Sequence, residues 1–378
     1  MFAGISIAAI PAVGQADWSI MGLGTLGGEE YNYTSPSAVN DFGQAVGFIS
    51  IGDKVHAFTT GPNGVGITKL EIEGSFNAAL DINNSGQVVG MSSSNTGTHA
   101  FITGPDGLGV TDLGNLGGDR SYGFGINNSG QVAGITITIP NVNTEIVNSF
   151  ITGPNGVGRA DLGSLGGKGR VESINDSGQV TGVYERPDGG FNAFISGPDG
   201  VGVTILDRLG SKSYGVDINE VGQVVGHFSG YSPNAFITGP DGINMANLGT
   251  LGGFTSHAAA INDSGEAVGS AQTVDGEFHA FLFSHGGMTD LNLLDVVVAT
   301  GWTDVLVTDI NNNGQILGAG IDNTGQRQAF LLSYSPDTVF DPQPIFIPSI
   351  PEPEIYAMLL MGLGLIGFMA HRRKRLEI

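Results

Sequence analysis

One motif recurs along almost the whole chain and constrains its fold more than any other feature. It has the approximate form Ile-Asn-x-x-Gly-Gln-x-x-Gly, and an asparagine marks each copy. The seven asparagines are Asn40, Asn83, Asn127, Asn175, Asn219, Asn262 and Asn311. Successive copies are 43 to 49 residues apart. A period of this length indicates an array of similar structural units.

Each copy of the motif is accompanied by further signals for strands and turns. An Ala-Phe or Ser-Phe pair follows every copy, with the phenylalanine at Phe58, Phe101, Phe150, Phe194, Phe236, Phe281 and Phe330. A Leu-Gly-x-Leu-Gly-Gly element precedes several copies, beginning at Leu23, Leu113, Leu162 and Leu248. Gly-Pro-Asp/Asn-Gly turns begin at Gly61, Gly104, Gly153, Gly197 and Gly239. Proline presets φ in such turns and glycine accepts a left-handed conformation, so each unit divides into four short strands.

Four strands in 40 to 50 residues are typical of one propeller blade. Seven units therefore predict an all-β fold, a seven-bladed β-propeller over residues 17–335. The 63 glycines agree with this class, because each glycine costs a helix about 1 kcal/mol relative to alanine. Ring closure would remove the free sheet edges that invite aggregation. An open β-solenoid is the structural alternative.

The two ends of the chain differ from the repeats. Residues 1–16 predict a secretory signal peptide whose true start lies upstream, because an apolar stretch precedes Gly14 and Ala16, small residues before a plausible cleavage site. A buried first strand is the alternative. Residues 336–350 are rich in proline and predict an extended linker.

The last segment, 351–378, has three parts in order. Pro351, Glu352 and Pro353 precede an uncharged apolar run over 355–370. The basic residues Arg372, Arg373, Lys374 and Arg375 follow it. The run predicts one short transmembrane helix, with the basic tail on the cytoplasmic side and the repeats outside. A short hydrophobic helix in a soluble core is the alternative.

Two resemblances follow from these motifs. The tail resembles the PEP-CTERM sorting domain, which implies an exosortase-type sorting protease as partner, transient insertion in the inner membrane, and release or anchoring outside the cell. The repeats resemble the HAF repeat through His56-Ala57-Phe58, His99-Ala100-Phe101 and His279-Ala280-Phe281. That resemblance implies an extracellular repeat protein with no established chemistry.

Composition excludes several classes of function. Lys and Arg total 14 against 36 Asp and Glu, a net charge of −22, so nucleic acid is not expected as a partner. The chain has no cysteine, which rules out disulfides and thiolate chemistry. No Gly-x-Ser-x-Gly nucleophile motif occurs, and linear spacing singles out no carboxylate pair for glycoside hydrolysis. The chain is therefore not expected to be an enzyme.

Candidate ligand-binding residues lie where the repeats depart from one another. They are Tyr31, Tyr122, Arg170, Tyr214 and Trp302. All follow the Leu-Gly-x-Leu-Gly-Gly element or its equivalent, in connections that share one face of a propeller. Aromatic and polar groups gathered on one face suit carbohydrate recognition. Ordinary solvated loops are the alternative.

Calcium is the only cofactor that the sequence suggests, and the suggestion is weak. Its candidate ligands are the turn residues Asp41, Asp176 and Asp263. Turn formation explains these residues without an ion. The HAF histidines are replaced by Asn or Gln in other units, so they are expected to act as polar donors and not as metal ligands.

These inferences together predict a secreted or surface-associated, non-catalytic propeller that binds or scaffolds extracellular material such as exopolysaccharide. A carbohydrate-active enzyme on the same scaffold is one alternative. A purely structural matrix protein is another.

Overall fold

The structure is a computed structural model that describes residues 18–24, 33–142, 144–162, 169–186, 188–206, 212–230 and 233–334. These residues form 28 β-strands, one short α-helix, α1 (Asp295–Thr300), and several three-residue 3₁₀ turns, so the predicted all-β class is confirmed. The chain divides into two units, 1–338 and 339–378, and every described residue belongs to the first.

The strands follow one another along the chain with short connections. The first fourteen are β1 (Trp18–Gly22), β2 (Thr34–Val39), β3 (Ala45–Ile51), β4 (Lys54–Thr60), β5 (Ile67–Lys69), β6 (Phe76–Ile82), β7 (Val88–Ser94), β8 (Gly97–Thr103), β9 (Val110–Asp112), β10 (Arg120–Ile126), β11 (Val132–Asn141), β12 (Thr144–Ile151), β13 (Ala160–Asp161) and β14 (Gly169–Ile174). The others are β15 (Val180–Glu185), β16 (Phe191–Ser196), β17 (Val203–Leu206), β18 (Lys212–Ile218), β19 (Val224–Ser229), β20 (Ala235–Ile237), β21 (Ala246–Gly249), β22 (Gly252–Ile261), β23 (Ala267–Thr273), β24 (Phe278–Ser284), β25 (Gly287–Asp290), β26 (Thr303–Ile310), β27 (Ile316–Ile321) and β28 (Arg327–Tyr334).

Consecutive strands pair antiparallel into four-stranded sheets. β10–β13, β14–β17, β18–β21 and β22–β25 each form one such sheet. β2–β5 and β6–β9 pair in the same way, and a single parallel pair, Val55 with Phe76, joins them into one eight-stranded sheet. The last sheet has the order β1-β28-β27-β26, so the first strand of the chain completes the sheet formed by the last three.

The motif asparagines link the sheets into a closed circuit of hydrogen bonds. The Nδ2 group of each asparagine donates to the main-chain oxygen of the next one along the chain, and Asn311 donates back to Asn40. An open solenoid has no such return to its first unit. The arrangement of sheets is therefore ring-like, as in a propeller.

The hydrogen bonds within each motif explain why asparagine recurs in it. In the second copy, Asn83 Nδ2 donates to Gln87 Oε1 as well as to the neighbouring sheet. Asn83 Oδ1 accepts the main-chain N–H groups of Ser85 and Gln87 across the turn. Asparagine supplies these donors and acceptors from one short side chain, which neither aspartate nor serine can do.

The core lies between neighbouring sheets. In one cluster Ala193, Ile195 and Leu206 of one sheet pack against Ile218 and Val224 of the next, and Phe236 completes the contact. The phenylalanine of the Ala-Phe or Ser-Phe pair in every repeat is almost fully buried. Burial of such a side chain stabilises the fold by about 1.5–3 kcal/mol, so each repeat contributes one large apolar anchor to its sheet.

Several predicted segments fall outside the described residues. These are the signal peptide at 1–16, the linker at 336–350 and the sorting segment at 351–378. Within the described residues no helix has the length and apolar character needed to cross a membrane. The predicted membrane helix over 355–370 lies outside the described residues.

Candidate functional site

A central channel is lined by the inner strand of each sheet, which is the strand that ends at the motif asparagine. These inner strands are β2, β6, β10, β14, β18, β22 and β26. We call the end where they begin the strand-start end and the end where they reach the asparagines the asparagine end. Three cavities follow one another between these ends, with volumes of about 390, 130 and 170 Å³. Neighbouring cavities share lining residues, including Phe124 and Glu172 for the first two and Asp81 and Asp217 for the last two.

The asparagine end carries a second ring of hydrogen bonds, formed by the residue that follows each motif asparagine. Its members are Asp41, Asn84, Asn128, Asp176, Glu220, Asp263 and Asn312. The side-chain oxygen of each member accepts the main-chain N–H of the neighbouring member. This ring includes all three calcium candidates.

The calcium candidates therefore lie at one end of the channel, but at least one carboxylate oxygen of each is already engaged. Oδ1 of Asp41, Asp176 and Asp263 accepts a main-chain N–H at 2.9, 2.7 and 2.9 Å respectively. Over the part of the chain that the structure describes, no group of three or more His, Asp or Glu side chains is arranged to hold a metal ion. The geometry assigns these residues to sheet-to-sheet hydrogen bonding, and calcium binding stays a prediction.

Three aspartates lie in the middle of the channel, each two residues before a motif asparagine. Oδ2 of Asp81, Asp217 and Asp309 accepts a main-chain N–H from the next sheet at 2.8, 2.9 and 2.7 Å. The four other inner strands have Ala38, Gly125, Ser173 and Ala260 at the same position. Sequence reasoning missed these aspartates, although the difference between Asp-Ile-Asn and the other tripeptides is visible in the repeats.

The environment of these aspartates favours their protonated form. Burial raises the pKa of Asp81 to about 7, and the charge of Asp217 adds to the effect. Burial and the charges of Asp217 and Asp81 raise the pKa of Asp309 well above its ordinary value. No lysine or arginine is among the described residues that line the three cavities. The middle of the channel is thus a carboxyl-rich passage without a compensating cation in its wall.

The strand-start end carries an arc of aromatic and polar side chains. Tyr122, Arg170, Tyr214 and His257 each lie five residues before a motif asparagine, on the consecutive inner strands β10, β14, β18 and β22. The ring of Tyr122 stacks on that of Phe124 with 6.2 Å between centroids. The Arg170 guanidinium lies 5.0 Å from the Phe124 ring centre. Cation–π contact thus joins the first two positions of the arc.

The arc continues through Tyr214. Its ring stacks on His227 at 5.1 Å, and His227 meets His257 edge to face at 4.8 Å. The ring centroid of Phe191 lies 6.0 Å from that of Tyr214. Phe124, Tyr214 and His227 line the cavity of about 390 Å³ together with Leu80, Glu172, Val183, Gly215 and Val216. The wall of this cavity is therefore aromatic on two sides.

Burial shifts the pKa values of the titratable side chains at the strand-start end. Burial lowers the pKa of His227 to about 4, and His257 adds to the effect. Burial also lowers the pKa of His257. Both rings are therefore neutral at pH 7. Burial raises the pKa of Glu172, while Arg170, whose Nε lies 2.8 Å from Glu172 Oε1, opposes that rise.

The structure brings three of the five predicted ligand-binding residues together. Tyr122, Arg170 and Tyr214 all belong to the arc. Tyr31 lies outside the described residues. Trp302 lies apart from the lining of the cavity, since its ring packs edge-on against the core residue Phe330 at 5.2 Å. Phe124, His227 and His257 were missed, although His257 has the same position in the repeat as Tyr122 and Tyr214.

Two of the histidines that precede an Ala-Phe pair connect neighbouring strands. His99 Nδ1 lies 3.0 Å from Asp112 Oδ2, between β8 and β9. His279 Nδ1 lies 2.7 Å from Asp290 Oδ2, between β24 and β25. In both sheets the histidine therefore holds the outermost strand through an aspartate, a polar role of the kind predicted from the exchange with Asn and Gln.

Residues 349–374 match a family model described as the PEP-CTERM protein-sorting motif. The chain carries a PEP-CTERM sorting signal. The matched residues include the predicted Pro351, Glu352 and Pro353 and most of the predicted basic tail; Arg375 lies one residue beyond the match. A PEP-CTERM signal indicates export and handling as a membrane-anchored precursor by an exosortase-type system. A comparison with curated proteins found no match.

The described fold is similar to solved propeller structures. An oligogalacturonate lyase from Vibrio parahaemolyticus is 11% identical, with a TM-score of 0.55 over 85% of this chain and 98% of that one. The β-propeller domain of the Trilobed protease from Pyrococcus furiosus is 10% identical, with a TM-score of 0.56 over 81% and 98%. An acylaminoacyl peptidase from Pyrococcus horikoshii is 12% identical, with a TM-score of 0.51 over 80% and 51%. At such identities the likeness shows a propeller-like fold alone.

Proposed function

We propose that this chain is an exported, non-catalytic, seven-bladed HAF-type β-propeller that binds extracellular polysaccharide at its strand-start end. The blade count rests on treating the eight-stranded sheet as two blades, because only one parallel residue pair joins its halves. Each of the seven motif copies then contributes one blade. The PEP-CTERM signal supports export, and the cell surface or its surroundings is the destination that we propose.

The aromatic arc beside the largest channel cavity carries this proposal. Sugar rings present C–H faces that stack on aromatic rings, and Tyr122 and Tyr214 are only partly buried. Arg170 and Glu172 add polar groups that can orient hydroxyls. The cavity of about 390 Å³ has the size of a ligand-binding pocket. Stacking surface, polar groups and space therefore occur together at this end.

Binding of polysaccharide from the producing bacterium to the full-length chain in mild detergent tests the proposal. Tyr122→Ala and Tyr214→Ala should each weaken binding about fivefold to tenfold, because loss of an aromatic stacking partner costs roughly 1 to 1.4 kcal/mol. The dissociation constant is measured by titrating the protein over surface-immobilised polysaccharide. Phe42→Ala is the matched control, since Phe42 is 58% exposed and lies in the turn at the asparagine end.

The control should leave binding unchanged. Equal binding by the native chain and both tyrosine variants would contradict the assignment of the strand-start end. If the chain binds no glycan while circular dichroism shows that it is folded, the purely structural matrix protein would be favoured instead.

A carbohydrate-active enzyme is the second candidate, favoured by the carboxyls that share the channel. A general acid needs a pKa near the working pH, and the pKa of Asp81 is raised to about 7. However, Asp81 Oδ1 and Oδ2 both accept main-chain N–H groups, from Ile82 and Ile126. Shortening of the polysaccharide on incubation, abolished by Asp81→Asn, would favour the enzyme. An unchanged polymer length would favour binding without turnover.

A further inference from the structure

Basic residues are scarce in this chain, and three of them gather at the strand-start end. Four of its 14 lysines and arginines lie in the C-terminal tail. Arg120 is the first residue of β10, Arg170 the second of β14 and Lys212 the first of β18. Because these are the inner strands of three consecutive sheets, the three cations flank one side of the channel mouth.

These cations share strand faces with the aromatic arc. Side chains two residues apart in a strand point to the same side, so Arg120 lies on the face of Tyr122 and Lys212 on the face of Tyr214. Each of these strands thus presents a cation at the rim and a tyrosine one step deeper. Arg170 lies between them on β14 and contacts Phe124. The result is a cationic rim above an aromatic wall.

The rim cations are available to a ligand. Arg120 and Lys212 are exposed. Neither forms an ion pair with a carboxylate of the described residues, whereas Arg170 pairs with Glu172. Exposed cations without partners in a chain of net charge −22 create a local positive region in a negative field.

Deeper in the channel the described lining residues include carboxyl groups but no lysine or arginine. Glu172 lines the first cavity, and Asp81, Asp217 and Asp309 line the second. An anionic group is attracted to the rim, and none of the described residues that line this interior is a lysine or arginine that could draw it further in. It would therefore be held at the mouth, where the tyrosines provide stacking surface for the ring that carries it.

We propose that the strand-start end selects acidic polysaccharides, with the carboxylates of uronate sugars held by Arg120 and Lys212 and the sugar rings stacked on Tyr122 and Tyr214. This inference rests on the proposed function and names its ligand class. Arginine suits the task because its planar guanidinium pairs with a carboxylate through two parallel hydrogen bonds. The negative remainder of the surface repels other parts of a polyanion, so the contact is local.

The experiment compares binding of the full-length chain to alginate and dextran, which are acidic and neutral polysaccharides. Alginate should bind more tightly, and its affinity should fall as NaCl rises from 50 to 300 mM, because salt screens exposed charges within about 10 Å. The double variant Arg120→Ala/Lys212→Ala should lose at least about tenfold in alginate affinity and most of the salt dependence. The conservative Arg120→Lys/Lys212→Arg variant should retain most of the affinity.

Arg327→Ala is the matched control, since Arg327 is an exposed cation at the start of β28. It should leave alginate binding unchanged. Dextran binding as tightly as alginate, or a double variant that binds alginate normally, would overturn the inference and leave polysaccharide binding in place. If neither of these polymers nor the native polysaccharide binds, the inference and the proposed function fail together.

Discussion

The glycine that ends each motif is the residue on which the inner strands depend most directly. A Cβ atom at Gly226 would overlap the main-chain oxygen of Tyr214, and one at Gly134 would overlap that of Tyr122. The register of the paired strands shifts just after these contacts, between Gly215 and Asp217 in one sheet. The bulge and the glycine together position the tyrosines of the arc.

Replacing Gly226 by alanine should therefore destabilise the fold by about 3 kcal/mol, because the overlap is with backbone and cannot be relieved by a side-chain rotation. Chemical unfolding followed by fluorescence measures the change. Gly66→Ala is the control: its φ is 72° and its Cβ would meet no atom within 4 Å. That change should cost only about 1 kcal/mol of left-handed strain. Equal losses in the two variants would refute the packing argument.

Closure of the fold depends on the pairing of its first and last strands. β1 pairs only with β28, and the ring of Trp18 lies 4.9 Å from that of Tyr334 at the end of β28. The Tyr334 hydroxyl donates to Glu266 Oε1 of the preceding sheet at 2.8 Å. Glu266 stands where most motif copies have glutamine. The last sheet is thereby tied to its neighbour at the place where the chain ends meet.

A disulfide tests this closure cleanly, because the chain has no cysteine of its own. Ser19 and Ser333 are register partners in β1 and β28, and such residues have Cα atoms about 4.5–5.5 Å apart. The Ser19→Cys/Ser333→Cys variant should form an intramolecular disulfide on oxidation and raise the free energy of unfolding by about 2–4 kcal/mol. Reduction should reverse the gain, and Ser19→Cys alone should show none. Intermolecular cross-links in place of the intramolecular one would contradict the pairing.

At the scale of the whole molecule, the carboxyl groups that the sheets bring together in the channel make the free energy of unfolding depend on pH. Burial raises the pKa of Asp81 to about 7 and raises the pKa of Asp309 well above its ordinary value. The folded state then holds more protons than the unfolded state from about pH 4 upwards, so stability falls as pH rises through that window. His227 and His257 act oppositely, because their lowered pKa values cost stability as pH falls below about 6.5. Above that pH the carboxyls dominate.

The melting temperature should therefore fall by a few degrees between pH 6.5 and pH 8 at constant ionic strength. Glu220, with its pKa raised to about 7, contributes in the same direction. Asp309→Ser should flatten this dependence, and Ser173 shows that serine fits the same position in another sheet. Differential scanning calorimetry gives both profiles. A rise in melting temperature over this interval, or the native slope in the variant, would show that the channel carboxyls do not set it.

Local sequence patterns determined the all-β class, the period of the units and the sorting signal. Each depends on residues close together in the chain: a hairpin turn, a Gly-Pro-Asx-Gly turn, or a Pro-Glu-Pro run before an apolar segment. The shared position of Tyr122, Arg170 and Tyr214 near the start of inner strands is also readable from the repeats. Repetition itself places equivalent residues at the same end of the channel.

The tertiary structure alone decided which residues of different repeats contact one another. Asp81, Asp217 and Asp309 are far apart in the chain, and only the closed arrangement of sheets makes them neighbours. Trp302 packs against the core because β28 places Phe330 beside its ring. Asp41, Asp176 and Asp263 are engaged by main-chain donors of adjoining sheets. A strand's pattern indicates which side a residue faces, whereas the partner on that side depends on long-range closure.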